Sequence, residues 1–125
     1  MKELLVVGFG GFIGAISRYG LSGYMDKTFG KGFPSGTLVV NVLGCFLIGL
    51  LMTLVEDQKF TNKTLQLLIV TGLLGSLTTF STFGHQSLDL LRKGSFSLAF
   101  LNVICNLGVG VFAVSLGRFL VRVLN

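Results

Sequence analysis

The fold is decided by residues 65–91, which read LQLLIVTGLLGSLTTFSTFGHQSLDLL. The stretch contains one charged residue, Asp89, and is longer than the roughly 20 apolar residues that a helix needs to cross a bilayer. Glycine, serine and threonine are concentrated in its middle, where they permit a membrane helix to break if the freed backbone groups are buried in protein or bind an ion. The stretch therefore predicts a membrane helix that is broken in the middle.

Three further apolar stretches accompany this one, at residues 4–25, 36–55 and 96–121. The composition is typical of a membrane protein, because 51% of the residues are hydrophobic, only 12% are charged, and the mean hydropathy is +0.82. Four spans of roughly 20 residues use most of the 125 positions and leave only short connectors. We therefore predict an all-α membrane protein, a single domain over residues 1–125, with four transmembrane helices of which the third is broken.

Basic residues are balanced between the two sides of the predicted bundle. The side with the termini and the second connector has five basic residues: Lys2, Lys59, Lys63, Arg118 and Arg122. The side with the first and third connectors also has five: Arg18, Lys27, Lys31, Arg92 and Lys93. Because an excess of Lys and Arg on one side sets membrane orientation, a balanced chain has little reason to choose one. We predict insertion both ways and an antiparallel dimer; chance balance in a small chain is the alternative. The basic residues form no run, so no nucleic-acid partner is predicted.

The acidic residues and the single histidine give no support for catalysis or for a metal site made of side chains. The carboxylates fall in connectors or at span ends, so no carboxylate pair lies within the membrane. His85 is the only histidine, which excludes a cluster of histidine ligands. Cys45 and Cys105 lack the spacing of a metal or redox pair and are interpreted as small buried hydrophobic residues. We predict that the chain is not an enzyme.

Polar side chains recur at four-residue spacing in two of the spans. Thr37 and Asn41 therefore share one face of the second helix, and Asn102 and Asn106 share one face of the fourth. For Asn102 and Asn106, hydrogen bonds that only hold the helices together are an equal alternative to a function. For Asn41, beside the predicted break in the third helix, we favour a function.

An aromatic pair, Phe80 and Phe83, follows the Gly-Ser-Thr segment of the third span and shares one helix face, with the hydroxyls of Ser81 and Thr82 on the neighbouring faces. Such a pair is usually part of a hydrophobic core. At a break in a membrane helix, however, the electropositive ring edges together with amide and hydroxyl donors can replace the hydration shell of a small anion. A cation pore would instead contain carboxylates or rings of exposed carbonyls.

Three segments carry a family resemblance that extends over essentially the whole chain: GGFIGAISR at 10–18, GTLVVN at 36–41 and GLLGSLTTFSTF at 72–83. Together they resemble the Fluc/CrcB family of fluoride channels. The hexapeptide TTFSTF in a four-span chain is the specific signal, whereas the glycine pairs alone are weak.

The resemblance implies an antiparallel homodimer in the bacterial plasma membrane, with two pores that are selective for fluoride over chloride. Fluoride would leave the cytoplasm passively, which lowers its toxicity. The resemblance also implies that the ring edges of Phe80 and Phe83 contact fluoride and that Asn41 is a hydrogen-bond donor on the pore side.

Further residues receive roles from the same resemblance. A polar track would be continued by Thr37, Ser81, Thr82 and Asn106. The backbone carbonyls of Gly75 and Thr78 would hold a central structural sodium ion that is not transported. Arg18, at the end of the first span, would support the structure or attract anions near the pore entrance; snorkelling of its side chain to the interface is the alternative.

Two other assignments remain open. The chain departs from the family pattern at Gly84–Gln86 and at Asn102 and Asn106, which keeps open one half of a heterodimeric fluoride channel, although the balanced charge favours a homodimer. A proton-coupled small multidrug exporter is the alternative from another class. Such exporters depend on a glutamate within the membrane, and none of the predicted spans contains one.

Overall fold

The computed structural model describes residues 1–30 and 32–124; Lys31, one of the basic residues counted above, lies outside the described residues. The described part of the chain has four helices long and apolar enough to cross a membrane. We call them spans 1 to 4; they comprise Lys2–Phe29, Ser35–Glu56, Lys63–Arg92 and Phe96–Val123. The four predicted helices are therefore confirmed.

Span 1 is longer than predicted, since it continues to Phe29 rather than ending near Met25. Arg18 consequently lies inside the helix, roughly 16 Å before its end at 1.5 Å per residue. Its side chain is half-buried, and within the described residues it takes part in no ion pair.

Spans 1 and 3 pack through glycine. A Cβ atom at Gly10 would overlap the backbone carbonyl of Leu68, and one at Gly14 would overlap that of Leu73. Only residues without a side chain allow two helix backbones to approach this closely, as is common between helices in lipid. The glycines therefore fix the first half of span 3 against span 1.

Spans 2 and 4 form a second close pair. A Cβ atom at Gly49 would overlap the carbonyl of Val114, and one at Gly117 would overlap that of Phe46. At the end nearest the C-terminus, the Arg118 guanidinium donates to both carboxylate oxygens of Glu56, at 3.0 and 2.8 Å. Backbone contact and a two-pronged ion pair thus fix the relative height of these spans.

Two polar side chains, Asp26 near the end of span 1 and Asn62 in the second connector, cap the spans that follow them. The Asp26 carboxylate accepts hydrogen bonds from the Gly36 N–H at 2.8 Å and the Ser35 hydroxyl at 3.3 Å, at the start of span 2. The Asn62 carboxamide accepts from the Leu65 N–H at 3.1 Å at the start of span 3. These side chains satisfy N–H groups that have no partner within the helix, and so they define where each span begins.

Two stretches depart from regular α-helical hydrogen bonding. Leu67–Leu74 in span 3 and Cys105–Val109 in span 4 are π-helical. A π-turn inserts one residue into a helix and changes which residues lie on the same face. Faces derived from α-helical spacing therefore do not hold through these segments.

Near the middle of span 3, one helical segment ends at Leu77 and the next begins at Phe80. Between them Thr78 has φ −81° and ψ 155°, and Thr79 has φ −151° and ψ 112°, both in the extended region. The first segment packs against the buried side chain of Val40 from span 2. Two residues of extended backbone thus lie inside the bundle, beside span 2.

Candidate functional site

The site is built around the backbone of Thr78 and Thr79, which has left the helix. The N–H and hydroxyl of Thr78 both donate to the Leu74 carbonyl, each at 3.1 Å. The Thr79 hydroxyl oxygen accepts from the Thr82 N–H at 3.3 Å, which makes Thr79 the N-cap of the helix that begins at Phe80. Each threonine thereby fixes one end of the interruption.

The Asn41 carboxamide pairs with the Thr79 backbone as a second peptide group would. Its Oδ1 accepts from the Thr79 N–H at 2.8 Å, and its Nδ2 donates to the Thr79 carbonyl at 3.2 Å. The same Nδ2 also donates to Oδ1 of Asn106 at 2.9 Å. Since backbone groups that are buried without partners cost free energy, this side chain of span 2 stabilises the extended segment of span 3.

Three more side chains continue this hydrogen bonding through span 4 and back to span 3. Asn106 Nδ2 donates to the Oδ1 and to the backbone carbonyl of Asn102, at 2.9 and 3.0 Å. Asn102 Nδ2 donates to the Ser87 hydroxyl at 2.9 Å, and that hydroxyl donates to the Phe83 carbonyl at 2.8 Å. We call the series Thr79, Asn41, Asn106, Asn102, Ser87 and Phe83 the polar circuit.

A cavity of about 360 Å³ opens beside the polar circuit. The site residues predicted from the sequence that line it are Asn41, Gly75, Thr78, Phe80, Phe83 and Asn106. The rings of Phe80 and Phe83 lie with their centroids 5.4 Å apart and their planes inclined by 57°. The Phe83 side chain is buried, whereas 76% of Phe80 is exposed. One ring is thus fixed in the protein and the other is open at the cavity edge.

Four predicted residues do not line this cavity. Thr37 is buried one turn before Asn41 on span 2. Ser81 and Thr82 are exposed on the first turn after the interruption, where the Thr82 hydroxyl oxygen accepts from the Thr79 hydroxyl at 2.9 Å. Arg18 lies on span 1. The structure thus brings together the aromatic, asparagine and backbone positions, but not the hydroxyls of the predicted track.

The lining of the cavity is mostly apolar, with a few amide and hydroxyl groups and no charge. Around the aromatic rings it consists of amides, threonine side chains, Cys45 and aliphatic residues, and it includes no Asp, Glu, Lys, Arg or His. Within the described residues no group of three His, Cys, Asp or Glu side chains could hold a metal ion. What this arrangement brings together is amide groups that are hydrogen-bonded within the protein, two phenyl rings and backbone near the helix interruption.

Sequence reasoning gave no role to Thr79 or Ser87, although both belong to the polar circuit. A signal for Thr79 was available in the sequence. Thr79 directly precedes Phe80 and lies three residues before the polar Thr82, and threonine is a common N-cap residue in such a position. For Ser87 no local signal exists, since its partner Asn102 comes from another span.

The family description "CrcB-like protein, Camphor Resistance (CrcB)" matches residues 5–118. The chain belongs to the CrcB-like family. All residues that line the cavity fall within the matched region of this CrcB-like chain.

Bacterial relatives of this CrcB-like chain carry the name "fluoride-specific ion channel FluC". One from Clostridium perfringens strain 13 is 42% identical over 120 residues, which cover 96% of the chain and 94% of the relative. Proteins from Shewanella halifaxensis and Shewanella baltica strain OS185 are 47% and 49% identical over 121 residues, covering 97% of each chain. With its four apolar helices, the chain is a multi-pass bacterial membrane protein.

Proposed function

We propose that this chain is a fluoride-selective channel. The observation that carries the proposal is the uncharged cavity in which the rings of Phe80 and Phe83 adjoin the carboxamide of Asn41. The relatives named fluoride-specific ion channel support the same ion.

The chemistry of the cavity suits a small anion that must lose its water. The edge of a phenyl ring is electropositive, and amide N–H groups donate hydrogen bonds, so both replace contacts that water makes to an anion. Within the protein, Asn41 Nδ2 already donates to two acceptors, the Thr79 carbonyl and Asn106 Oδ1. A fluoride ion that reaches Asn41 therefore competes with one of these oxygens, which keeps its binding weak enough for passage.

Movement through the site is passive in this proposal. The cavity lining contains no carboxylate and no histidine, so it offers no group to carry a proton across the membrane. This disfavours the proton-coupled exporter. Fluoride then leaves the cytoplasm across the bacterial plasma membrane down its own gradient, which lowers its toxicity inside.

The functional unit that we propose is an antiparallel homodimer with two pores, in which span 3 is a broken membrane helix. In a single chain Phe80 is 76% exposed at the cavity edge, so one wall of the pore is missing. A second copy, inserted in the opposite orientation, supplies that wall. The balance of basic residues between the two sides supports this arrangement, because it removes the preference for one orientation.

A structural sodium ion fits the backbone at the interruption. Gly75 and Thr78 both line the cavity, and the helical segment that contains Gly75 ends at Leu77. The last carbonyls of a helix lack partners within it, and oxygen atoms are the ligands that hard cations prefer. The carbonyls of Gly75 and Thr78 would hold the ion. When bound, it would supply a positive charge that offsets the carbonyl dipoles, and it would not be transported.

The test is fluoride efflux from liposomes that contain the purified chain alone. The vesicles are loaded with potassium fluoride, valinomycin is added so that potassium balances the charge, and a fluoride electrode records the release. Vesicles loaded with potassium chloride measure selectivity, and vesicles without protein measure the leak. We expect fast loss of fluoride and no loss of chloride.

Two other outcomes have distinct meanings. Equal release of fluoride and chloride would contradict a fluoride-selective pore. No release of either ion would contradict a homodimeric channel, and restoration of release by a second family member from the same organism would identify the heterodimer.

A further inference from the structure

The polar circuit has a single possible direction. The Phe83 carbonyl can only accept, so the Ser87 hydroxyl donates to it and offers its oxygen to Asn102. Asn102 must therefore turn its Nδ2 toward Ser87, which leaves its Oδ1 facing Asn106. A carboxamide turned the other way would bring two acceptors or two donors face to face.

The same logic continues to the cavity. Asn106 turns its Nδ2 toward Asn102, so its Oδ1 faces Asn41. Asn41 in turn presents Nδ2 to Asn106 and Oδ1 to the Thr79 N–H. The Thr79 backbone and the Asn106 carboxamide thus require the same orientation of the amide beside the aromatic pair, and the carboxamides farther along the circuit agree with it.

Asn102 is a fully buried member of the polar circuit. Its side chain is 0% exposed and it does not line the cavity, whereas its neighbour Asn106 does. Asn106 lies at the start of the π-helical stretch Cys105–Val109. Two oxygens of Asn102 hold the Asn106 carboxamide, so rotation of Asn106 breaks two hydrogen bonds at once.

We propose that Asn102 is a positioning residue for the anion pathway: together with Ser87 it fixes the orientation of Asn106, and through Asn106 that of Asn41, without contacting the ion. This inference rests on the proposed fluoride channel and adds to it a determinant of rate that lies outside the pore. Loss of the Asn102 side chain removes one of the two hydrogen bonds that hold the Asn106 carboxamide and leaves the one to the Asn102 backbone. Asn106 then rotates more readily, and Asn41 Nδ2 loses one of its two acceptors.

The experiment compares fluoride efflux from liposomes for Asn102→Leu and Ser87→Ala with that for the unmodified chain. Asn102→Leu keeps a similar branched shape and removes both side-chain hydrogen bonds, and Ser87→Ala removes only the far end of the circuit. We expect efflux to fall about tenfold in Asn102→Leu, the effect of one lost hydrogen bond to a buried partner, and by a smaller factor in Ser87→Ala. The control is Thr53→Val, which removes a buried hydroxyl bonded only to Gly49 of its own helix and should leave efflux unchanged.

A double variant separates positioning from general loosening of the fold. Asn106→Ser shortens the side chain so that it no longer reaches Asn41. If Asn102 acts through Asn106, adding Asn102→Leu to Asn106→Ser produces no further loss of efflux. Losses that multiply in the double variant, or unchanged efflux in Asn102→Leu and Ser87→Ala, would overturn the inference.

Folding failure and channel failure are distinguished by design. Should Asn102→Leu not yield folded protein, Ser87→Ala decides: reduced efflux supports the positioning role, and efflux equal to that of the unmodified chain overturns it. Absence of fluoride efflux from the unmodified chain is a failure of the proposed function and is seen before any variant is compared.

Discussion

Phe80 and Phe83 lie three residues apart on one helical turn, yet they occupy different surroundings. Phe83 is 7% exposed and packs within the chain, while Phe80 is 76% exposed beside the cavity. A substitution of Phe83 therefore affects both the cavity and the core, whereas a substitution of Phe80 affects mainly the cavity. The two positions thus separate effects on conduction from effects on folding.

Replacing either ring by isoleucine is expected to slow fluoride efflux about tenfold or more, because the electropositive ring edge is lost and the apolar volume is kept. Phe80→Ile should unfold at the same temperature as the unmodified chain, and Phe83→Ile at a lower one. Efflux and unfolding in detergent are measured on the same preparations. Phe12→Ile, at an exposed position on span 1, is the matched control. Unchanged efflux in both Phe80→Ile and Phe83→Ile would contradict the role of the ring edges.

The loss of Asn41 should destabilise the fold as well as the channel. Asn41→Leu leaves the Thr79 N–H and carbonyl without their partners, at a cost of about 1–3 kcal/mol for each buried group. We expect a lower midpoint of thermal unfolding, followed by circular dichroism in detergent. Ser115→Ala, which removes an exposed hydroxyl bonded to Val111 of its own helix, should not change the midpoint. An unchanged midpoint in Asn41→Leu would show that Thr79 finds other partners.

Part of the candidate site could be predicted from the sequence, because amide residues inside a membrane span are few and the pair Phe80 and Phe83 directly follows the Gly-Ser-Thr segment of the third span. Asn41, Phe80, Phe83 and Asn106 do line one cavity, and their roles toward fluoride stay predictions. Thr37 was grouped with them by four-residue spacing, but it is buried away from the cavity. Spacing gives a face of a helix and not its neighbour, and the neighbour is set by tertiary packing.

At the scale of the elements, glycine contacts decide which spans pair. Hydropathy predicted the four spans well, since the length and apolarity of each are local properties. It could not predict that span 1 packs on span 3 and span 2 on span 4. The π-helical stretches were also missed, because an inserted residue changes hydrogen bonding without changing composition.

Alanine at the glycine contacts tests this pairing. Gly14→Ala places a Cβ atom against the Leu73 backbone, which cannot move as a side chain can, and should destabilise the fold by about 1–3 kcal/mol. Gly20→Ala, on the same helix with nothing within 4 Å of the added atom, should be neutral or stabilising. Thermal unfolding of the two variants in detergent is compared. Equal midpoints would show that spans 1 and 3 are farther apart than described here.

At the scale of the whole molecule, the proposed assembly rests on the charge balance. The sequence places five Lys or Arg residues on each predicted side of the membrane, so we expect neither orientation to be favoured during insertion. The sequence supports this prediction directly because it depends on counting and not on packing. The cavity itself could not be predicted in this way, since its walls come from spans 2, 3 and 4 together.

Dual insertion predicts that a C-terminal reporter is found on both faces of the membrane. Alkaline phosphatase is active only outside the cytoplasm and a fluorescent protein only inside it, so fusions of each to the C-terminus should both give signal. Adding two lysines to the connector between spans 3 and 4 should shift the ratio strongly toward one orientation and reduce fluoride efflux, because antiparallel pairs become rare. Signal from one reporter alone in the unmodified chain would contradict the antiparallel dimer.

The one-way order of the polar circuit also limits how this protein can diverge over evolutionary time. A backbone carbonyl, that of Phe83, sets the order, and mutation cannot remove it. An exchange that swaps donor for acceptor at Asn102 is therefore tolerated only when Asn106 changes with it. In related sequences, substitutions at Asn102 and Asn106 should therefore occur together, whereas substitutions at an exposed residue such as Phe112 should occur independently.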